Sequence, residues 1–439
     1  MGQNVLMQTF FVTILLLSQH SWCSDFPNAV ESDPKTLGWM EGFPPPKDKI
    51  IKFEDGSYFK FPEMRWSVAN FRQLMPTVNI EGASKKVDLK ISKLKFDIDS
   101  IKFKKLFSKE EMTWNESLLE NYTDGIIVLH RGEIIYEKYY GILNPEKLHG
   151  AMSITKTFVG TLAAELINEG IIKKDYQVSH YVPELKSSAL GSATIQELQD
   201  MTTGIRFSED YSDPNAEVWK HAYAGNPLPK PQNYNGPRSC YDFLKTLKPE
   251  GKHSEGFHYR TVNTDALGWV ISRATGKNIA ELLSEKFFKK MGSFQDAYMS
   301  VDSIGTPFAG GGLSLSLRDL ALFGEMIRRS GSINGHQILN KNVVKDILKG
   351  GDKKLFAKAN YPTLPGWSYH NMWWISHNSH NAIMARGVHG QALYIDPKAE
   401  LIIARFASHP IANNSANDPT TLPAFEALAQ YVIKKSNLK

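Results

Sequence analysis

The sequence predicts a mixed α/β (α+β) fold, in which helices flank one antiparallel sheet and a mostly helical region, about residues 171–310, is inserted. Two strand pairs near opposite ends of the chain support this prediction. Residues 125–129 and 134–139 form the first apolar pair around a turn, and residues 391–395 and 400–406 form the second. Because helical patterns separate the two pairs, we expect distant segments to assemble into a single sheet.

Helical periodicity follows the first strand pair. Phe158, Leu162 and Leu166 recur at every fourth position, and Gly170 supplies a stop signal after them. The sequence therefore predicts a long helix that opens near Ser153. Further helices are predicted at residues 194–201, 240–247, 264–275, 279–291, 318–330 and 422–435.

The composition is that of an ordinary soluble globular protein. With 439 residues the chain can bury a large core, and charged residues make up 22% and hydrophobic residues 42% of it. The formal net charge of +5 is small for this length, and the sequence has no concentrated basic block. A nucleic-acid partner is therefore not predicted.

An apolar run at residues 5–17 indicates export. The run is too short to span a bilayer comfortably, so we interpret residues 1–23 as a signal peptide and expect a periplasmic or secreted protein without stable membrane insertion. A retained membrane anchor is the alternative. Removal of the signal would leave Cys240 as the one remaining cysteine, so no intrachain disulfide is predicted.

Residues 24–110 are polar and irregular. Three prolines at residues 44–46 and a lysine-rich stretch after them indicate extended chain. We interpret residues 24–110 as an N-terminal extension packed on the core, with no chemistry of its own, and residues 111–437 as the main domain.

Ser153 and Lys156 are the first candidate catalytic residues. Residues three positions apart share one face of a helix, so both side chains should point the same way. A serine hydroxyl becomes nucleophilic when a base removes its proton, and a lysine amine can be that base if burial or a second cation lowers its pKa. The same spacing recurs at four other serines, but only Ser153 opens a long apolar-periodic helix in mid-chain.

Tyr259 lies in a turn just ahead of the helix predicted at residues 264–275. Such a tyrosine can present its phenol to a cleft, and a cationic lysine beside it would make the phenol proton easier to lose. The alternative is a half-buried packing residue with a hydrogen-bonded hydroxyl, which is the commoner role of tyrosine.

Gly387, Val388, His389 and Gly390 precede the final strand pair. Glycines that flank a strand allow another backbone to approach closely, as a substrate-binding strand or an oxyanion site requires. A β-bulge is the alternative, and His389 alone is more typical of a structural hydrogen bond than of a base.

The sequence predicts no metal site and no cofactor. His377 and His380 form an isolated pair, without a nearby carboxylate at a familiar zinc-site spacing. Residues 310–312 are three glycines, but the lysine and the serine or threonine that end a phosphate-binding loop are missing.

Three motifs together resemble those of the serine β-lactamase/penicillin-binding-protein superfamily. They lie at residues 153–156, 259–265 and 387–391, in the order of that family. The resemblance points to the branch that contains 6-aminohexanoate-dimer hydrolase and related esterases, near class C β-lactamases. It runs from about residue 36 to the end of the chain.

This resemblance implies a sheet domain and a helical domain with a cleft between them. It implies that Ser153 is the acylated nucleophile, that Lys156 assists its deprotonation, and that Tyr259 acts as base and then as acid to the leaving group. The backbone N–H groups of Ser153 and Val388 would form the oxyanion hole. Asn263 is the candidate for the substrate-binding asparagine of class C enzymes, although it lies two residues later than in their motif.

The Lys-Thr-Gly motif of β-lactamases is absent, and Arg386-Gly387 or His389-Gly390 stands in its place. We therefore expect an exported serine hydrolase that cleaves an amide or ester bond of a small molecule through an acyl-enzyme on Ser153. One alternative is a penicillin-binding protein, a D-Ala-D-Ala peptidase or a weak β-lactamase. Another is a catalytically idle member of the fold that binds a partner. The sequence predicts no particular oligomeric state.

Overall fold

A computed structural model of the protein describes residues 26–436, and its main feature is an antiparallel sheet of seven strands. The strands, numbered along the chain, are β1 Thr77–Ile80, β2 Lys102–Lys104, β3 Glu111–Thr113, β4 Thr123–His130, β5 Glu133–Tyr139, β6 His149–Gly150, β7 Ala297–Ser300, β8 Leu313–Leu315, β9 Ser332–Ile333, β10 His336–Gln337, β11 Ser368–His370, β12 Trp373–Ile375, β13 Ile383–Gly387, β14 Gln391–Asp396 and β15 Leu401–Ala407.

The large sheet has the order β11-β12-β13-β14-β15-β4-β5, so the two predicted hairpins lie side by side. β15 pairs with β4 in antiparallel register, with Ile403 opposite Val128. Arg131 and Gly132, which join β4 to β5, both have positive φ (55° and 85°), as a two-residue turn between twisted strands requires. The predicted assembly of distant strand pairs into one sheet is confirmed.

Fifteen α-helices surround the sheets in the described part of the chain. They are α1 Pro34–Leu37, α2 Met64–Ser67, α3 Trp114–Glu120, α4 Ile154–Asn168, α5 Val178–Tyr181, α6 Ile195–Gln199, α7 Glu217–Ala224, α8 Cys240–Lys245, α9 Thr261–Thr275, α10 Ile279–Leu283, α11 Lys289–Met291, α12 Leu317–Arg328, α13 Lys341–Lys349, α14 Lys353–Ala357 and α15 Asp418–Ser436.

Each predicted helix has a counterpart among these elements, with shifted ends. The helix predicted at residues 279–291 is composite, because a π-helical segment, Ser284–Phe288, joins α10 to α11. α9 begins at Thr261, earlier than predicted, so Tyr259 lies only two residues before its first turn. α12 packs across β4, β14 and β15, and α4 contacts β13 and β14, which brings the start of α4 close to the large sheet.

The N-terminal extension does more than cover the core. β1 pairs with β7 and becomes the edge of a second, four-stranded sheet of order β1-β7-β8-β6. Ile51, Tyr58 and Trp66 form a small buried cluster of their own, against which Phe71 packs. The expectation of plain extended chain is therefore wrong for this segment, because its aromatic residues find tertiary partners.

Arg65 of α2 joins the extension to the large sheet. Its guanidinium is buried and donates to the Asp124 carboxylate at 3.3 Å, to Ser408 Oγ at 3.1 Å and to the Ala29 carbonyl at 2.5 Å. Asp124 belongs to β4 and is itself buried. Removal of one partner of a buried ion pair leaves the other charge without compensation.

We expect Arg65→Met to lower the free energy of unfolding by about 3–5 kcal/mol, as measured by chemical denaturation, because Asp124 would lose the Arg65 guanidinium and keep only its contact with His149 Nε2 at 3.2 Å. Arg206→Met is the control, since that side chain is 71% exposed and lies 3.8 Å from Glu217. The control should cost less than about 1 kcal/mol. Equal losses for the two variants would contradict the anchoring role of Arg65.

The predicted signal peptide, residues 1–23, lies outside the described part of the chain, which begins at residue 26. Within residues 26–436 no helix has the length and the apolar character that a membrane crossing needs. Cys240 is buried and carries a free thiol.

Candidate active site

The turn before α4 presents Ser153 to a cleft. Met152 has a φ of 48°, in the left-handed region that non-glycine residues seldom occupy, and Ser153 follows it as the N-cap of α4. The Ala151 N–H donates to the Leu313 carbonyl at 2.8 Å, which fixes the turn to β8. Uncommon backbone conformations that the surrounding structure holds in place are concentrated at functional sites.

Lys156 lies one turn into α4 and its ammonium nitrogen contacts Ser153. Nζ is 2.8 Å from Ser153 Oγ and donates to the Gly310 carbonyl at 2.6 Å. The side chain is 1% exposed. Burial lowers the pKa of Lys156 to about 8, against the opposing effect of the Glu209 and Asp265 carboxylates. The predicted Ser-x-x-Lys pair is therefore in contact and has the lowered lysine pKa that such a base needs.

Tyr259 completes this group of three side chains. Its phenol shares a hydrogen bond with Ser153, and Lys156 Nζ lies 5.0 Å from the centre of its ring. The pKa of Tyr259 is raised well above its ordinary value, first by burial and then by the Glu209 carboxylate. The expected easier ionisation of this phenol is not seen, because burial and the Glu209 carboxylate raise its pKa by more than the Ser153 hydrogen bond and the Arg386 charge lower it.

A glycine loop supplies the acceptor for Lys156. The Gly310 N–H donates to Asp265 Oδ1 at 3.0 Å while its carbonyl accepts from Lys156. A Cβ at Gly310 would lie 2.2 Å from Thr261 Cγ2, so the loop and α9 can approach this closely only with glycine there. Asp265 thus positions the loop that orients Lys156, a role that the sequence did not reveal.

The end of β13 lies beside the Ser153 turn. A Cβ at Gly387 would lie 2.9 Å from the Ala151 carbonyl, so only glycine permits this approach. Val388 follows and lines the cleft together with Ser153. Among the described residues, no backbone hydrogen bond is donated by the N–H of Ser153 or by that of Val388.

The other three predicted site residues do not line the cleft. His389 is buried, its Nδ1 lies 2.7 Å from the His409 carbonyl, and burial lowers its pKa to about 4. Its role is structural, as the alternative interpretation held. The Gly390 carbonyl accepts from Arg405 Nε at 3.0 Å.

The structure corrects the prediction that Asn263 binds substrate. It is fully buried in α9, and its Oδ1 accepts from Thr203 Oγ1 at 2.8 Å while its Nδ2 lies 3.3 Å from Met201 Sδ. The structure therefore assigns Asn263 to packing within the helical region. Its later position in the motif places it on a different face of α9 from the cleft.

Two cavities meet at Ser153 and Val388. The first, called the apolar cavity, is lined mainly by hydrophobic and aromatic side chains, including Phe59, Phe71, Met75, Val218, Trp219 and Phe308. The second, called the polar cavity, is lined by Tyr259 together with Glu209, Tyr361, Trp374, Arg386 and Asp418.

The charged groups of the polar cavity were not predicted as a set, since the sequence motifs included Arg386 but neither Glu209 nor Asp418. Glu209 accepts from Thr261 Oγ1 at 2.6 Å and from the Tyr211 hydroxyl at 2.8 Å. Arg386 is buried, forms an ion pair with Asp418 and lies over the Trp374 ring, its guanidinium carbon 5.1 Å from the ring centre. These residues are distant in sequence, so no local motif could have joined them.

Potential metal ligands come together at one place in residues 26–436. The ligand atoms of His221, Cys240 and Asp265 lie within 4.8 Å of one another. His221 Nε2 lies 2.8 Å from Asp265 Oδ2, although neither of these two buried atoms has a hydrogen-bond partner among the described residues. His377 and His380 do not form a site, since the first contacts Ser368 and the second contacts Asp396.

Comparisons with known proteins identify the family of the chain. The family model described as beta-lactamase matches residues 117–426, which include all the predicted site residues. The 6-aminohexanoate-dimer hydrolase of Paenarthrobacter ureafaciens is 29% identical over 386 residues, which are 88% of this chain and 91% of that protein.

Solved structures show the same relationship. A candidate 6-aminohexanoate-dimer hydrolase from Bacillus anthracis superposes with a TM-score of 0.79 and 29% identity, over 89% of this chain and 99% of that one. A penicillin-binding protein homologue from Caulobacter crescentus has a TM-score of 0.53 at 13% identity, over 72% of this chain and 96% of that one, and shows the fold alone.

Proposed function

Because this chain belongs to the beta-lactamase family and is a serine hydrolase of that fold, we propose that it cleaves amide or ester bonds through an acyl-enzyme on Ser153. One observation carries the proposal: the buried Lys156 amine lies 2.8 Å from Ser153 Oγ with its pKa lowered to about 8. About a tenth of such lysines are neutral at pH 7 and about half at pH 8, so a working base is present at physiological pH.

Acylation begins when neutral Lys156 accepts the proton of the Ser153 hydroxyl. Oγ then forms a bond to the carbonyl carbon of the substrate, and the carbonyl oxygen becomes an oxyanion. The N–H groups of Ser153 and Val388, which donate no backbone hydrogen bond among the described residues, can then donate to that oxyanion.

Tyr259 then supplies the proton that the leaving group needs. Its raised pKa keeps the phenol protonated at rest, so it donates to the departing nitrogen or oxygen as the bond to the carbonyl carbon breaks. The phenolate recovers a proton from the Lys156 ammonium, which returns both residues to their starting states. Water attacks the ester in the second half-reaction, and the acid and the Ser153 hydroxyl are regenerated.

Arg386 weighs against a β-lactam or D-Ala-D-Ala substrate. It belongs to Arg386-Gly387, one of the two segments that could stand in place of the Lys-Thr-Gly motif, and its buried guanidinium is already paired with Asp418. A guanidinium held in this way is less available to a substrate carboxylate. We therefore propose a small-molecule amide or ester as substrate, and export on the strength of the apolar run at residues 5–17.

A fluorophosphonate probe tests the acyl-enzyme proposal, because it esterifies an activated serine and releases fluoride. We expect intact-mass and peptide mapping to place one adduct on Ser153, and none on the Ser153→Ala variant. Persistent labelling of that variant would contradict the proposal.

A substrate panel then separates the alternatives: a p-nitrophenyl ester, a linear ω-amino-acid amide, a D-Ala-D-Ala peptide and a chromogenic cephalosporin. Turnover of the ester or the linear amide that depends on Ser153 is expected. Turnover confined to the peptide or the cephalosporin would support the cell-wall alternative. The absence of both turnover and a covalent adduct would support the alternative of a catalytically idle member of the fold that binds a partner.

A further inference from the structure

We propose that the apolar cavity binds the hydrocarbon chain of the acyl group, so that the substrates are esters or amides of medium-chain aliphatic acids with a polar leaving group. The inference rests on the proposed function, because it assigns the two sides of the cleft around the acylated Ser153.

The position of the proton donor sets the direction of the substrate. Tyr259 lines the polar cavity and is absent from the described wall of the apolar cavity. A group that protonates the leaving atom must contact it, so the leaving group departs on the Tyr259 side. The acyl chain, bonded to the other side of the same carbonyl carbon, is then directed into the apolar cavity.

The character of the two walls agrees with this direction. Phe71, Met75, Val218 and Phe308 offer hydrocarbon surface to the apolar cavity. Such a wall favours methylene groups and disfavours charge. The polar cavity instead offers the Glu209 carboxylate, which suits an amine or an alcohol.

The apolar cavity is built from two separate parts of the chain. Tyr58, Phe59 and Phe71 of the N-terminal extension form one wall, and Trp219 of α7 lies in another. The indole N–H of Trp219 donates to the Asp213 carbonyl at 2.8 Å, which holds the ring in place. A fixed, largely preformed apolar pocket next to the nucleophile is what selection for a hydrocarbon chain requires.

Chain length is the first readout. If each methylene enters the apolar cavity, kcat/KM should rise about fourfold per methylene, which is about 250-fold over the four methylenes from p-nitrophenyl butyrate to p-nitrophenyl octanoate. The series needs only the wild-type protein, with Ser153→Ala as the blank. A flat or falling series with turnover that depends on Ser153 would overturn the inference and leave the proposed function intact.

Two isomeric esters test the direction. Ethyl octanoate and octyl acetate have the same atoms and differ in whether the long chain is on the acyl or the alcohol side. We expect ethyl octanoate to be cleaved at least about tenfold faster, measured by acid release below the solubility limits. Equal rates, or faster cleavage of octyl acetate, would overturn the assignment of the two cavities.

A pocket-filling variant locates the effect. Ala222 of α7 lines the apolar cavity, and Ala222→Trp should remove most of the preference for octanoate over acetate. Ala357→Trp is the matched control, because Ala357 is exposed in α14 and should leave the preference unchanged. An unchanged preference for octanoate in a folded Ala222→Trp protein would contradict the inference. If the wild type shows no turnover that depends on Ser153, the proposed function itself is contradicted.

Discussion

Replacement of Lys156 by methionine is expected to lower kcat/KM by about 10³–10⁴-fold and, at the same time, to stabilise the protein at pH 7. The activity falls because Ser153 loses the amine that lies 2.8 Å from its Oγ. Methionine is close to lysine in length and hydrophobic, so it fills the buried space without a charge. Few substitutions in a folded protein should change the two properties so strongly in opposite directions.

The stabilisation follows from the pKa of Lys156. Its pKa falls from 10.5 to about 8 on folding, which corresponds to about 3 kcal/mol for burying the charged form. The Gly310 carbonyl loses its donor in the variant, which costs about 1 kcal/mol. We therefore expect the free energy of unfolding to rise by about 2 kcal/mol at pH 7.

The stability difference between the wild type and Lys156→Met should depend on pH. Below pH 8 the lysine carries its proton in both states, and the folded state bears the full burial cost. Between about 8 and 10.5 the unfolded state keeps the proton that the folded state has released, so wild-type stability rises with pH in that window. The advantage of Lys156→Met should shrink accordingly, as denaturation at pH 7, 9 and 10 would show.

Lys220→Met is the control, because Lys220 is exposed on α7 and its replacement should change stability by less than about 0.5 kcal/mol. The wild-type kcat/KM should rise as pH passes through about 8, because the proposed base is Lys156 in its deprotonated form. If kcat/KM of the wild type keeps rising to pH 10 and Lys156→Met is no more stable than the wild type, the buried Lys156 amine has an ordinary pKa.

Tyr259→Phe should reveal its role through the leaving group. We expect a loss on the order of 10³-fold with an amide or an alkyl ester, whose leaving groups need a proton. A p-nitrophenyl ester should lose less than about tenfold, because p-nitrophenolate departs without one. The comparison uses kcat/KM for both substrates on the same protein preparations.

Tyr361→Phe is the matched control for that comparison. It removes a phenol from the same polar cavity, and the ratio of the two losses should stay near one. Equal, large losses for both substrates in Tyr259→Phe would contradict proton donation and would indicate that the phenol deprotonates Ser153 itself.

The parts of the fold that the sequence predicted are those with local signals. Turn residues and alternating apolar residues mark β4, β5, β14 and β15, and the spacing of Phe158, Leu162 and Leu166 marks α4. Ser153 and Lys156 were found for the same reason, since three positions on one helix fix their contact.

What was missed depends on tertiary contact. The raised pKa of Tyr259 comes from burial, which no neighbouring residue in the sequence reveals. Asp265 acts through the loop at Gly310, and Arg386 is paired with Asp418, so both roles join segments that only the fold brings together. The prediction for Asn263 was wrong because its position in the motif does not determine which face of the helix carries its side chain.

The residues that line one wall of the apolar cavity and the proposed catalytic residues lie in different parts of the sequence. Tyr58, Phe59 and Phe71 lie before residue 117, where the match to the beta-lactamase family begins, whereas Ser153, Lys156 and Tyr259 lie inside it. Changes in the early segment can therefore remodel one wall of the cavity while every reacting atom stays in place. Different N-terminal extensions combined with the same catalytic residues would give enzymes that share one reaction and differ in the acyl chain that they accept.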